Sequence, residues 1–256
     1  MNDLIKQLLQ ILVDLVIYLT PRQALTTKRL SEAKIVAHRG WFDEETVKEN
    51  TLESFDSAFK NNIWGIEFDI RWTKDHIPVL CHDDTTFRVW DKNITIKDIN
   101  FVDLRSQLPG IPTLEEVVEK YGKKLFFFIE LKSVDYTYIE IYKEKLQEIL
   151  TPLDAGKDFS FLALSIEPVL KFNCFEPCFY FLVAETNTLE MSQLALEYKL
   201  GGLTGHFLLL NQNIVHKHHS EAQLVGTGFC RTKKSMAREL TRGVDFIFTN
   251  HPWNLI

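Results

Sequence analysis

The feature of this sequence that most constrains its fold is the alternation of short apolar runs with longer stretches of helical periodicity. Nine runs have the length and composition of β-strands. They are Lys34–Ala37, Gly65–Ile70, Pro78–Cys81, Leu125–Leu131, Phe159–Leu164, Cys178–Val183, Gly201–Thr204, Ala222–Gly226 and Asp245–Thr249. Strands that are apolar on both faces are typical of parallel sheets covered by helices on both sides. The pattern therefore predicts an α/β protein built from βαβ units.

Helical periodicity appears between these runs. The predicted helices are Thr51–Lys60, Leu114–Tyr121, Tyr138–Leu150, Leu189–Tyr198, Asn213–His219 and Lys233–Arg242. Eight strands, with one extra short strand after the second, fit a closed (β/α)8 barrel (TIM barrel) better than an open sheet, and 256 residues are an ordinary length for one. No linker rich in Pro, Gly or Ser divides the chain. We therefore predict a single barrel domain over residues 31–256, with residues 83–112 as an irregular insertion.

Residues 1–30 precede the predicted barrel and contain an apolar stretch from Leu4 to Leu19. Polar residues interrupt this stretch every three or four positions, so a helix would gather them into one stripe. A helix of this length spans ~24 Å, which is short of a hydrocarbon core of ~30 Å. We predict an amphipathic helix that ends at Thr20-Pro21. It either closes the bottom of the barrel or lies in a membrane interface, and the pattern does not choose between the two.

Composition excludes several classes of function and partner. The chain has 29 basic and 35 acidic residues, so it lacks the positive field that supports nucleic-acid binding. Four cysteines are too few for a disulfide framework, which favours a reducing compartment. We predict a cytoplasmic protein, with peripheral membrane contact through residues 4–19 as the alternative. The sequence leaves the oligomeric state open, and it has no Rossmann or P-loop motif.

Carboxylates lie near the carboxyl ends of two predicted strands, where a barrel of this kind keeps its chemistry. Glu67 and Asp69 are two residues apart and share one face of the second strand, and Glu130 lies on the third, Leu125–Leu131, if the short extra strand is not counted. Carboxylates inside a barrel repel each other unless a cation lies among them. They therefore predict a site for one divalent cation, Mg²⁺ or Ca²⁺. The competing interpretation is ion pairing with the neighbouring cations Arg71, Lys74 and Lys132.

Two histidines and two further cations follow predicted strands at the same end of the barrel. His38 and Arg39 follow the first strand, His82 follows the short extra strand, and Lys132 shares a face with Glu130. Histidines beside a metal site are suited to general acid and base catalysis near neutral pH. Arg39 and Lys132 supply positive charge for an anion.

The motifs around these residues resemble the glycerophosphodiester phosphodiesterase family across about residues 34–252. They are Ala37-His-Arg-Gly40, Glu49-Asn-Thr51 with Ser54-Phe55, Ile66-Glu-Phe-Asp69, Thr73-Lys-Asp75, Val79-x-x-His82-Asp83, Ile111-Pro-Thr-Leu-Glu-Glu116, Glu130-Leu-Lys132, and Gly243-Val-Asp245 with Thr249-Asn-x-Pro252. The resemblance implies a (β/α)8 barrel with three metal-binding carboxylates, two catalytic histidines and two cations that hold phosphate oxygens. The implied metal ligands are Glu67, Asp69 and Glu130. The implied catalytic histidines are His38 and His82, and the implied phosphate-binding cations are Arg39 and Lys132.

The reaction that this family implies is the metal-dependent hydrolysis of glycerophosphodiesters to sn-glycerol 3-phosphate and an alcohol. Our hypothesis is that His38 acts as the base and His82 as the acid, with either water or the glycerol 2-hydroxyl as the nucleophile. We expect the Glu49-Asn-Thr51 turn to be mainly structural, with Asn50 or Thr51 as the N-cap of the first helix.

The substrate side of the predicted site departs from the family pattern. Gly228-Phe-Cys-Arg231 stands where family members usually carry Trp at the end of the seventh strand, so the wall is either open there or formed by Phe229. The apolar run His206–Leu210 follows the sixth strand. Both features favour a first alternative, a phosphodiesterase that acts on lysophospholipids. A non-catalytic barrel that binds anions or lipids is a second alternative, but such a protein needs no paired histidines.

Overall fold

The structure, a computed structural model, describes residues 30, 32–43 and 45–256. Eight parallel strands and one short antiparallel strand form a single sheet, and the pairing of its first strand with both the second and the last closes it into a barrel. The strands are β1 (Ile35–His38), β2 (Gly65–Trp72), β3 (Pro78–Leu80), β4 (Phe126–Leu131), β5 (Phe159–Ala163), β6 (Tyr180–Ala184), β7 (Gly202–His206), β8 (Leu224–Gly228) and β9 (Phe246–Thr249). β3 is the antiparallel strand and pairs with β2. The predicted (β/α)8 barrel is confirmed.

Helices connect the strands and cover the outside of the barrel. In the described part of the chain they are α1 (Leu52–Lys60), α2 (Phe87–Trp90), α3 (Phe101–Gln107), α4 (Leu114–Tyr121), α5 (Ile139–Leu150), α6 (Ile166–Lys171), α7 (Thr188–Glu197), α8 (Gln212–Ser220) and α9 (Lys233–Thr241). Short 3₁₀ turns lie at Ile96–Asp98, Tyr136–Tyr138, Pro177–Phe179 and Pro252–Asn254.

Three of these helices begin with a capping box. Thr51 caps α1, Thr113 caps α4 and Thr232 caps α9, and in each case the residue three positions later reciprocates. A cap of this kind stabilises a helix by about 1 kcal/mol and fixes the direction from which the chain enters it. The loops that lead into α1 and α9 follow β1 and β8 directly, so their caps also fix the backbone near the mouth of the barrel.

The interior of the barrel is filled by a cluster of large apolar side chains. Its buried members come from five different strands of the closed sheet, and aromatic rings dominate it. They are Val36, Phe126, Phe128, Leu162, Phe181, Phe246 and Phe248. Burial of such a side chain contributes about 1.5–3 kcal/mol. The barrel is therefore a packed core below its mouth.

The alternation of β2 separates its apolar residues from its acidic ones. Ile66 and Phe68 point outward into the layer between strands and helices, whereas Glu67 and Asp69 lie on the other face, inside the barrel. The register with β4 places Asp69 directly beside Glu130. Both strands therefore deliver carboxylates to the same level, above the aromatic core.

Some elements differ from the sequence predictions. The segment 83–112 contains α2, α3 and a 3₁₀ turn, although its sequence predicted irregular structure. α6 was not predicted either, because six residues with Pro168 in the first turn are too short for a helical period to be visible. Several predicted strands begin one or two residues too early, as at β8, since their apolar runs begin in the preceding loops.

The predicted amphipathic helix at residues 4–19 lies outside the described residues. Within the described ones, no helix has the length and hydropathy needed to cross a membrane. The predicted cytoplasmic location and the alternative of peripheral membrane contact both stay predictions.

Candidate active site

A cleft of about 690 Å³ opens at the carboxyl ends of the barrel strands. Five of the seven predicted site residues line it: His38, Arg39, Glu67, His82 and Glu130. The other two, Asp69 and Lys132, lie beside them and form an ion pair in which Lys132 Nζ is 2.5 Å from Asp69 Oδ1. The structure therefore brings all seven predicted residues together.

The three predicted metal ligands form a compact buried cluster. Glu67, Asp69 and Glu130 each offer one oxygen within 4.8 Å of the others. Oε1 of Glu67 is buried and has no hydrogen-bond partner among the described residues. An unpaired buried carboxylate oxygen is costly, and an all-oxygen donor set suits a hard divalent cation. The cluster therefore fits a divalent cation, as the sequence predicted.

The carboxylates of this cluster have unequal proton affinities. Burial and the neighbouring charge of Asp69 raise the pKa of Glu67 to about 8 and that of Glu130 to about 7. Burial would also raise the pKa of Asp69, but the positive charges of Lys132 and Arg39 outweigh it and lower that pKa. Without a cation, the cluster therefore holds protons at neutral pH that a bound cation would displace.

Asp69 is held in place by more partners than the sequence predicted. Asn50 Nδ2 donates a hydrogen bond of 2.9 Å to Asp69 Oδ2, and the backbone N–H of Asp69 donates to Asn50 Oδ1 at 3.3 Å. Asn50 has a left-handed backbone with φ of 55°, which aims its side chain at β2. The N-cap of α1 is Thr51, as one of the two predictions stated. Asn50 thus adds a contact with a predicted metal ligand to its structural role.

The turn after β1 presents both a histidine and a backbone donor to the site. Arg39 has a φ of 58°, and its backbone N–H donates to Glu67 Oε2 at 2.9 Å. Gly40 follows with a φ of 87°, and a Cβ there would lie 2.3 Å from Ser54 Oγ. The tight turn therefore needs glycine, and it directs the N–H of Arg39 toward a metal-ligand carboxylate.

His38 lies between an amide and a carboxylate. Its Nδ1 is 2.5 Å from Asn250 Oδ1, and its Nε2 is 3.7 Å from Glu67 Oε2. Burial and the charge of Arg39 lower the pKa of His38. Asn250 belongs to the Thr249-Asn-x-Pro252 motif, and the sequence predicted no role for it. Its contact with His38 joins the ends of β9 and β1.

His82 is oriented by the residue that follows it and by an arginine of β2. Its Nδ1 is 2.7 Å from Asp83 Oδ1. Its backbone oxygen accepts hydrogen bonds from Arg71 Nε at 3.0 Å and from Arg71 Nη2 at 2.8 Å. Burial lowers the pKa of His82, as does the charge of Lys132, against the opposing effect of Asp69. Burial therefore disfavours the protonated form of both histidines, whereas the hydrogen bonds to Asn250 and Asp83 favour it.

Both predicted phosphate-binding cations are engaged by carboxylates. Arg39 Nη1 donates to the two oxygens of Glu49 at 3.1 and 3.3 Å, and Arg39 Nε lies 3.6 Å from Asp69 Oδ2. Lys132 contacts Asp69 and Glu130 at once. A phosphate that entered the cleft would share these cations with the acidic residues that hold them.

The opposite wall of the cleft is apolar. Leu164, Leu209 and Phe229 line it and are 41%, 43% and 49% exposed. The ring of Phe229 stacks on His206 with centroids 5.4 Å apart and lies 6.4 Å from that of His38. Phe229 therefore forms this part of the wall, as one of the two sequence interpretations stated.

Comparison with solved structures gives the same fold. A glycerophosphodiester phosphodiesterase from Thermotoga maritima matches with a TM-score of 0.71 and 20% identity, over 86% of this chain and 95% of that one. A phosphodiesterase from Oleispira antarctica, in complex with the product sn-glycerol-3-phosphate, matches with a TM-score of 0.71 and 22% identity, over 87% and 94% of the two chains. At these identities, the matches show the barrel fold.

Comparison of sequences extends the similarity beyond the fold. The glycerophosphodiester phosphodiesterase of Bacillus subtilis (strain 168) is 29% identical over 247 residues, which cover 85% of this chain and 83% of the relative. Glycerophosphodiester phosphodiesterase 1 of Homo sapiens is 34% identical over 127 residues, which cover 44% of this chain and 38% of the relative. The model of the glycerophosphoryl diester phosphodiesterase family matches residues 38–253. The chain belongs to the glycerophosphoryl diester phosphodiesterase family.

Proposed function

We propose that this protein hydrolyses glycerophosphodiesters to sn-glycerol 3-phosphate and an alcohol, with the help of one divalent cation. The observation that carries the proposal is the buried cluster of Glu67, Asp69 and Glu130 beside two histidines at the barrel mouth. Family membership supports the reaction class. The product in the related Oleispira antarctica structure is the same sn-glycerol-3-phosphate.

The carboxylates Glu67, Asp69 and Glu130 would hold the cation, Mg²⁺ or Ca²⁺. Such an ion, when bound, offsets the negative charge of the phosphodiester and of its transition state. Arg39 and Lys132 lie on the same side of the cleft and add positive charge for the phosphate oxygens. Because carboxylates already hold both side chains, they are oriented before the substrate arrives.

The two histidines have different partners, and this difference supports the assignment of their roles. His38 contacts the neutral amide of Asn250 through Nδ1, which leaves Nε2 to take a proton from the nucleophile. His82 contacts the carboxylate of Asp83 through Nδ1. A carboxylate partner stabilises the protonated imidazole, so His82 suits the acid that protonates the leaving alkoxide.

The test is an assay of the purified protein on glycerophosphocholine and glycerophosphoethanolamine, with Mg²⁺, with Ca²⁺ and with a chelator. Phosphorus NMR follows the products. We expect metal-dependent release of glycerol 3-phosphate. A cyclic phosphate that accumulates first would identify the glycerol 2-hydroxyl as the nucleophile, and its absence would favour water. No cleavage of either diester under any condition would contradict the proposal.

The apolar wall supports a second candidate, the hydrolysis of lysophospholipids. Leu164, Leu209 and Phe229 offer exposed apolar surface within the cleft, where an acyl chain would be shielded from water. Gly228 leaves further room, since a Cβ there would meet only a backbone oxygen at 3.8 Å among its near neighbours. The same assay with lysophosphatidylcholine decides between the candidates. Cleavage of the lysolipid alone would favour the second one.

A further inference from the structure

An arginine of the inserted segment reaches two acidic residues at the edge of the cleft. Arg88 lies on α2, and its Nη1 and Nη2 donate to the two oxygens of Glu49 at 3.0 and 2.6 Å. Its Nε donates to Asp83 Oδ2 at 2.6 Å. Glu49 follows β1 in the chain and Asp83 follows β3, so one guanidinium joins two loops of the barrel.

Each of these carboxylates also contacts a residue of the proposed catalytic machinery. The second oxygen of Asp83 is 2.7 Å from Nδ1 of His82. Glu49, which is buried, accepts hydrogen bonds from Arg39. A continuous chain of charged groups therefore runs from His82 through Arg88 to Arg39.

A further contact joins the same two segments. Lys48 Nζ donates to the backbone oxygen of Val89 at 2.5 Å and lies over the ring of Trp90, 5.2 Å from its centroid. α2 is thus attached to the loop before α1 at two neighbouring points. The position of Arg88 is set by this attachment as well as by its own ion pairs.

We propose that Arg88 is a positioning residue that holds His82 and Arg39 in their working orientation through Asp83 and Glu49. The inference rests on the proposed function, in which His82 protonates the leaving group. The planar guanidinium has donors for two carboxylates at fixed angles, and a lysine at this position has one compact ammonium group. Without the fork, Asp83 loses the partner that turns it toward His82. Glu49 keeps only Arg39, which then shifts relative to the phosphate.

The segment also offers a matched control. Arg105 on α3 makes an equivalent fork with Glu116, at 2.8 and 2.6 Å, and it does not line the cleft. The variants Arg88→Lys and Arg105→Lys therefore each remove a two-pronged Arg–Glu contact from the same segment, and only Arg88→Lys also removes a contact with a second carboxylate, Asp83. Thermal unfolding of both variants measures any common loss of stability.

The experiment measures kcat and KM on glycerophosphocholine for the wild type and both variants. We expect Arg88→Lys to lower kcat by about 10–100-fold with a smaller change in KM, the usual effect of losing a residue that orients a catalytic group. We expect Arg105→Lys to stay within about twofold of the wild type, since its fork touches no group at the site. Equal kinetics for the two variants would overturn the proposal.

Histidine NMR tests the same proposal without an assay. In the wild type, the hydrogen bond to Asp83 favours the protonated form of His82. We therefore expect Arg88→Lys to lower the pKa of His82 and to change its tautomer signals, with Arg105→Lys leaving both unchanged. An unchanged His82 in Arg88→Lys would refute the positioning role. An inactive wild type with the expected NMR change would instead count against the proposed function alone.

Discussion

The two walls of the cleft are built on different principles. The wall formed by β1, β2 and β4 holds buried carboxylates, each opposed by a cation, an amide or a backbone N–H. The wall formed by the ends of β5, β7 and β8 exposes apolar side chains to the cleft. Buried charges tolerate little displacement, because each needs its partners, whereas apolar contacts are non-directional. Under the proposed function, the acidic wall would determine the reaction and the apolar wall the choice of substrate.

The largest expected effect distinguishes His82 from His206, the histidine of the apolar wall. We predict that His82→Ala lowers kcat by about 10²–10⁴-fold, because the leaving group then lacks a positioned acid. His206→Ala, which removes the histidine of the apolar wall, should change KM more than kcat. Steady-state kinetics on glycerophosphocholine check both variants. Wild-type turnover by His82→Ala would remove the assignment of His82.

A smaller effect, on metal affinity, tests whether Asn50 holds Asp69 in place in the acidic wall. Asn50→Ala removes the side chain that hydrogen-bonds Asp69, and we predict a loss of metal affinity of about 10–100-fold. Asn62→Ala is the matched control, since both residues have φ of 55° and Asn62 is exposed. Calorimetric titration with Mg²⁺ or Ca²⁺ measures the affinities. Equal losses of metal affinity in the two variants would mean that the left-handed backbone, rather than the contact with Asp69, causes the loss.

The pH dependence of metal binding tests a property of the acidic wall alone, the raised pKa values of its carboxylates. The pKa of Glu67 is raised to about 8 and that of Glu130 to about 7, so the metal-free cluster binds protons at pH 6–8. A cation must displace them, and its affinity should therefore rise with pH in this range, by about tenfold per unit for each proton released. Titrations in buffers of different ionisation enthalpy count those protons. An affinity that is constant from pH 6 to 8 would contradict the raised pKa values.

The smallest effect concerns the apolar wall. Leu209→Ser removes apolar surface from the cleft, and we predict a rise in KM for lysophosphatidylcholine of about 3–10-fold, with little change for glycerophosphocholine. Leu224→Ser is the control, because Leu224 is 39% exposed at the amino end of β8, on the opposite face of the barrel. Equal effects of Leu209→Ser on both substrates would mean that this wall does not select an acyl chain.

The sequence predicted the acidic wall well because its pattern is local. Glu67 and Asp69 are two residues apart on one strand, so any strand at that place puts them on one face. The contacts that hold this wall could not be predicted in the same way. Asn50 lies 19 residues from Asp69, and Asn250 lies 212 residues from His38. Asn250 meets His38 because the barrel closes β9 onto β1, and Asn50 meets Asp69 because β1 pairs with β2. Hydrophobic periodicity along the chain predicts neither contact.

The helices that the sequence missed have a different cause. α2 and α6 have four and six residues, fewer than two turns, so no apolar stripe forms. α2 is positioned by tertiary contacts, among them the ion pairs of Arg88 with Glu49 and Asp83. α2 therefore contacts residues at the edge of the cleft, although its sequence shows no helical period.

The most direct test of the whole account compares one carboxylate from each side of the cleft. Glu67→Gln removes a proposed metal ligand, and Glu185→Gln alters an exposed carboxylate at the end of β6 that lines the same cleft. Phosphorus NMR follows glycerophosphocholine with Mg²⁺, with Ca²⁺ and with a chelator. We predict metal-dependent glycerol 3-phosphate from the wild type and Glu185→Gln, and a rate about 10²–10³-fold lower from Glu67→Gln. Unimpaired metal-dependent hydrolysis by Glu67→Gln, or hydrolysis that the chelator does not affect, would contradict the account.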